Sequence, residues 1–155
     1  MATWDSRATG VVTLPGGRLV RGRALRGAIG EDATPEFGLY LTIRPHDDAR
    51  WESRWVCWPD FGLPRSAPEA VDALRDAYER SATARVEIAR RGGTGRTGTA
   101  IALLARLAGV AADDAVAWTR AHYRPRAVET PWQRRFVRRV DLLLPDQDRA
   151  DDDSS

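Results

Sequence analysis

The residues best suited to chemistry lie in one short run, Arg90-Arg91-Gly92-Gly93-Thr94-Gly95-Arg96-Thr97. Three glycines let a backbone curl tightly enough for successive N–H groups to converge on one point. A helix opening directly afterwards adds the positive end of its dipole, and Arg96 is placed to grip oxygen with two prongs. Such a site suits a single phosphate-like anion, and Arg91, Gly92, Gly93, Thr94, Gly95 and Arg96 are the residues expected to hold it. A glycine turn can also serve close packing alone; arginines around three glycines at a helix start favour the anion. Other candidates are weaker. Cys57 is the one thiol and reads as a small buried hydrophobe on a strand. His46-Asp47-Asp48 reads as a solvated loop, because no further cluster would complete a metal site. His122 ends a helix, where a cation suits the dipole.

The elements around this run are legible from spacing. Val11 to Leu14, Pro15-Gly16-Gly17 and Arg18 to Leu25 read as a hairpin. Phe37 to Ile43 and Ser53 to Trp58 are rich in strand formers, with a polar loop over Arg44 to Trp51 between them. Ser66 caps a helix expected over Ala67 to about Ser81, with Pro68 in its first turn. Arg85 to Ala89 is a short strand that feeds Arg90 to Thr99, read as a loop. An apolar helix follows over Ala100 to Ala108 and stops at Gly109. Further helices are expected over Ala111 to Tyr123 and from Thr130-Pro131 to about Leu144. Trp118, Trp132 and Phe136 are assigned to the core. Arg134, Arg135, Arg138 and Arg139 are assigned to a solvated face, the alternative being a face that helps hold an acidic partner. Strands first, helices later and a strand–glycine loop–helix unit between them indicate one compact α/β domain over residues 1–145. The acidic stretch 146–155 is expected to be a disordered tail.

Composition narrows the partners. The chain has 155 residues, enough for a single core. All 24 basic residues are arginine and the net charge is only +2, so charge balance gives no case for nucleic acid. The absence of lysine is read as codon bias. No apolar run is long enough to span a membrane, and no signal-like stretch opens the chain. One cysteine excludes an internal disulfide. A cytoplasmic domain without metal or cofactor is expected.

Two familiar glycine motifs fail. In a Walker A loop ending at Gly95-Arg96-Thr97, the first glycine would fall on Arg90. Gly93-x-Gly95-x-x-Gly98 has the letters of the dinucleotide fingerprint but lies too late, with no βαβ half after it. The run does resemble the extended signature of the cysteine-based protein tyrosine phosphatase superfamily, through Gly93-Thr94-Gly95-Arg96-Thr97-Gly98-Thr99 after the strand Val86 to Ala89. Trp58-Pro59-Asp60-Phe61-Gly62-Leu63-Pro64 is similar to the family's mobile acid-bearing loop, though Pro-Asp before Phe-Gly is also plain turn chemistry. Thr130-Pro131-Trp132-Gln133-Arg134-Arg135-Phe136-Val137 is similar to its glutamine-bearing segment. Order and separation suit a minimal, dual-specificity-sized member. The resemblance implies a twisted mixed sheet flanked by helices, with the phosphate loop between a strand and a helix. It also implies roles: Asp60 as proton donor, Arg96 as phosphate clamp, Thr97 as the hydroxyl favouring thiolate departure, and Gln133 as water-orienting residue.

One position departs from the family. Its nucleophilic cysteine stands six residues before the arginine, and here that residue is Arg90. A guanidinium stays protonated and offers no lone pair for attack on phosphorus. The chain therefore reads as a pseudophosphatase, natural or an altered copy of an active enzyme, that binds phosphate or a phosphorylated protein or small molecule. The alternatives are an active phosphomonoester phosphatase with another nucleophile, or a structural scaffold. Arg90 itself is expected to swing out of the positive pocket or to pair with an anion, Asp60 being the nearest carboxylate.

Overall fold

The structure, a computed structural model, describes residues 3–25, 34–47, 50–90 and 95–142. Five strands and four helices are described: β1 (Val11–Thr13), β2 (Leu19–Ala24), β3 (Phe37–Thr42), β4 (Glu52–Cys57), α1 (Ala67–Arg80), β5 (Val86–Arg90), α2 (Gly95–Leu107), α3 (Ala115–His122) and α4 (Pro131–Arg139). The acidic stretch expected to be a tail lies outside the described residues.

The hairpin forms as its sequence dictates. Gly17 N–H donates to Leu14 O at 2.9 Å, with Pro15 and Gly16 at the two central turn positions. Gly16 takes φ +91°, a conformation side chains disfavour. β1 and β2 pair antiparallel, while β2 with β5, β5 with β3 and β3 with β4 are all parallel. The sheet order is β1-β2-β5-β3-β4, so β5 is central and delivers its C-terminal residue, Arg90, to the middle of the sheet edge.

The two faces of the sheet differ in chemistry. Val20, Val86 and Phe37 stand side by side, as do Gly22, Ile88 and Leu39 two residues on. Val20, Val86, Phe37, Ile88 and Leu39 join Ala70, Ala73, Leu74, Ala77, Ile101, Leu103 and Leu104 of α1 and α2 in the main core. The opposite face is ionic at its centre. Glu87 is fully buried and accepts from Arg21 Nη2 at 2.6 Å and from Arg23 Nη2 at 2.8 Å. Tyr40 Oη donates to it at 3.3 Å and accepts from Trp51 Nε1 at 2.7 Å. Gly38 leaves room for Tyr40, whose hydroxyl oxygen would lie 2.4 Å from a Cβ there.

Caps explain two helices. Ser66 Oγ accepts from Glu69 N in α1, and Thr130 and Gln133 form a reciprocal capping box in α4. Three helix boundaries need correction. First, α2 begins at Gly95, not Ala100. Gly95, Thr97, Gly98 and Thr99 are poor helix formers, but tertiary packing overrides propensity. A Cβ on Gly98 would lie 2.9 Å from the backbone N of Val128, so glycine is what lets α2 approach residues 127–128. Thr99 Oγ1 donates back to Gly95 O at 2.6 Å.

Second, α3 begins at Ala115. The Asp114 side chain makes no cap bond, and residues 112–114 form a turn instead. Third, α4 stops at Arg139, because Val140 is extended. Arg106 of α2 donates to Val137 O and Val140 O at 2.9 and 2.8 Å, closing that helix end from outside. Trp118 and Phe136 pack half-buried against the core, whereas Trp132 is 52% exposed and is not a core residue.

Candidate active site

The expected anion loop joins β5 to α2. Its residues Arg91, Gly92, Gly93 and Thr94 lie outside the described residues; Arg90 and Gly95 border them. Strand alternation aims Arg90 toward the same face as Val86 and Ile88, the face that α2 covers. Its main chain is fixed there, since Leu25 N–H donates to Arg90 O at 2.8 Å and Arg90 pairs with Leu41 and Ala24. The side chain is 6% exposed, and among the described residues Nε and Nη1 have no hydrogen-bond partner. This corrects the expectation that Arg90 turns outward; among the described residues it makes no ion pair with Asp60 either, and pairing with a bound anion stays a proposal. Burial lowers the pKa of this guanidinium; nearby Tyr123 opposes that and Arg124 adds to it.

Arg96, in the first turn of α2, is 4% exposed. Its Nη1 donates to Leu41 O and Trp58 O, both at 3.1 Å, tying α2 to the ends of β3 and β4. Its Nη2 lies 3.6 Å from Asp60 Oδ1, and its Nε has no partner among the described residues. Burial lowers the Arg96 pKa, Asp60 raises it, and Arg90 lowers it again. Both guanidiniums are thus buried, and burial lowers the pKa of each. Thr97 follows, fully buried, with Oγ1 lacking a partner among the described residues.

Asp60 sits on a braced turn. Its Oδ1 accepts from Phe61 N at 3.0 Å, and Phe61 adopts φ +58°. Trp58 Nε1 and Gln133 Nε2 both donate to Gly62 O, at 2.9 and 3.0 Å. Trp132 Nε1 donates to Phe61 O at 2.6 Å. The start of α4 therefore holds the Asp60 turn at two successive carbonyls. Gln133 is fully buried, its oxygen engaged by Thr130 N and its nitrogen by Gly62 O. A cleft of about 550 Å³ opens over Arg96 and Asp60, walled by Thr42, Ile43, Arg44, Pro45 and His46.

Glu129 was not singled out from sequence. Its Oε1 accepts from Gly95 N at 2.5 Å, placing a carboxylate on the first amide of α2. Val128, buried and β-branched, takes φ +62° just before it. Such a residue occupies that region only when its surroundings impose it, and Arg120 holds the carbonyls of Ala127 and Val128. The only sequence signal was an acid directly before the cap residue Thr130.

Cys57 is half-buried rather than buried, its Sγ 3.5 Å from Ile43 O. It ends β4, two strands from β5, a separation of about 10 Å across the sheet. It does not stand in for a nucleophile at position 90. His46 packs edge-on against Tyr40, and His122 closes α3 with its ring stacked on Trp118. Among the described residues no cluster of three His, Cys, Asp or Glu side chains could hold a metal. Nor is any helix among them long and apolar enough to cross a membrane.

The fold is a parallel-centred mixed sheet with an arginine-bearing helix start at its edge and an aspartate turn 3.6 Å from that arginine. Residues 40–142 match the family model for protein-tyrosine phosphatase, and the chain belongs to that family. It is similar to the crystal structure of Tk-PTP in the active form, with 27% identity over 66% of this chain and 75% of that one, and a TM-score of 0.56. No curated protein matches the chain.

Proposed function

We propose that this chain, a single domain over residues 1–145, is a pseudophosphatase: it binds phosphate or phosphorylated ligands and hydrolyses them little or not at all. The observation that carries this reading is the pair of buried arginines. Arg90 and Arg96 present three guanidinium nitrogens without partners among the described residues. Unpaired buried donors on a cation are costly, and an oxyanion would satisfy them. Asp60 and Glu129 are the carboxylates at hand; one lies 3.6 Å from Arg96 and the other is committed to Gly95 N.

Turnover is a different matter. In the family a thiolate attacks phosphorus and an aspartate protonates the leaving oxygen. Arg96 fits the clamp, Asp60 the acid and Thr97 the hydroxyl, but position 90 supplies no lone pair. Gln133, with both ends of its amide engaged, fits a brace for the Asp60 turn better than a free water-orienting group. The family binds phosphorylated substrates, and that partner class is the one we assign, without nucleic acid or membrane. The single cysteine agrees with a reducing, cytoplasmic setting.

Hydrolysis of p-nitrophenyl phosphate tests the reading. Little or no release of nitrophenol is expected. A rate ordinary for phosphatases, abolished in Asp60→Ala but intact in Cys57→Ala, would overturn it and point to direct attack by water.

A further inference from the structure

Beside the Asp60 turn, an apolar groove of about 490 Å³ runs along α4. Leu63, Trp132, Phe136 and Val140 line it, and Arg135 and Arg139 stand at its rim. It shares no lining residue with the cleft over Arg96. Trp132 is 52% exposed and Leu63 36%, so large apolar side chains face solvent together. Contiguous exposed apolar surface with a polar rim marks an interaction site more often than isolated exposed residues do. Tryptophan and arginine are also the side chains that most often dominate binding at such sites.

The charge around the groove selects the occupant. Residues of α4 include four arginines and no acid, and Arg135, Arg138 and Arg139 are exposed. Among the described residues neither Arg135 nor Arg139 is held in an ion pair or hydrogen bond, so both can meet a ligand's charge. A second copy docked face to face would set arginine against arginine, which disfavours self-pairing.

We propose that this groove docks an acidic segment of a partner protein. One leucine- or phenylalanine-sized side chain would lie on Trp132, with flanking carboxylates against Arg135 and Arg139. The proposal does not depend on phosphate binding at Arg90 and Arg96. It does adjoin that region, because Trp132 donates to Phe61 O on the turn that carries Asp60.

Fluorescence anisotropy with the full chain tests it. The probe is a labelled heptapeptide, Asp-Glu-Asp-Leu-Phe-Glu-Asp. One control replaces its acids by Asn and Gln, and another replaces Leu-Phe by Ser-Ser. Saturable binding of the first peptide is expected, weakening as salt rises. The double charge reversal Arg135→Glu with Arg139→Glu, and separately Trp132→Ala, should each weaken it about tenfold or more. Circular dichroism melts verify that both variants fold.

The proposal is overturned by absence of saturable binding, by equal binding of the Asn/Gln peptide, or by indifference to the charge reversal. Binding to phosphatidylserine vesicles without peptide binding would also overturn it. So would a dimer in sedimentation that the charge reversal dissolves.

Discussion

Arg90→Cys is expected to convert the chain into a working phosphatase. Position 90 ends the central strand β5 and pairs with Leu41, whose carbonyl also anchors Arg96. A side chain there points to the helix-covered face, beside the start of α2. A cysteine at that point would replace a buried cation by a smaller group, so the core should tolerate it. The dipole of α2 and the Arg96 guanidinium should lower the thiol pKa toward neutrality. Asp60, 3.6 Å from Arg96, is the residue proposed to protonate a leaving oxygen, and Thr97 Oγ1 has no competing partner among the described residues.

Covalent nucleophiles in such sites are worth several powers of ten, so a gain of at least about 10³ over the unaltered chain is expected. Arg90→Ser should gain far less, and adding Asp60→Ala to Arg90→Cys should remove much of the gain. Iodoacetate should alkylate the new thiol faster than Cys57, for which the unaltered chain gives the baseline. A folded Arg90→Cys protein with an ordinary thiol and no turnover would mean that the remaining site no longer supports the chemistry. The structural-scaffold alternative would then gain.

The second large effect concerns stability. Glu87→Ala removes the only carboxylate found, among the described residues, bonding to Arg21 and Arg23. Both guanidiniums then face each other on the buried side of the sheet, Arg21 at 7% and Arg23 at 18% side-chain exposure. The hydrogen bond to Glu87 is the main cause raising the Arg23 pKa, so this pair is coupled in the folded state. Breaking one partner of a buried ionic cluster costs about 3–5 kcal/mol. For a chain this size that corresponds to a fall in Tm of roughly 10 °C. Glu87→Gln, which keeps volume and one acceptor oxygen, should lose less. A thermal melt of Glu87→Ala unchanged within about 2 °C would show that the arginines find water or other partners instead.

Much of the fold was legible because its signals are local. Ser66 with Pro68, and Thr130 with Pro131 and Gln133, mark two helix starts by capping chemistry that needs no tertiary partner. Pro15-Gly16-Gly17 likewise fixes the hairpin. The misread parts depend on distant contacts. The first turn of α2 is poor in helix formers and exists because Gly98 packs on residues 127–128 and Gly95 on Glu129. The end of α4 is set by Arg106, about 30 positions earlier.

The candidate site divides the same way. Asp60 and Arg96 were visible as motif residues, and they do come together. Glu129 was invisible because its meaning lies in an amide 34 positions away. Charge repulsion favours an outward path for the Arg90 side chain, but strand pairing with Leu41 and Ala24 turns it to the helix-covered face. Trp132 sits at helical spacing with Phe136, which suggests a shared buried face; its indole instead reaches out to the Asp60 turn.

Calorimetric titration with inorganic phosphate, run on the unaltered chain and on Arg96→Ala, tests the central claim most directly. Saturable heat and a phosphate-dependent rise in melting temperature are expected for the unaltered chain, both lost in Arg96→Ala. No heat from the unaltered chain at millimolar phosphate, or equal binding by Arg96→Ala, would contradict the account.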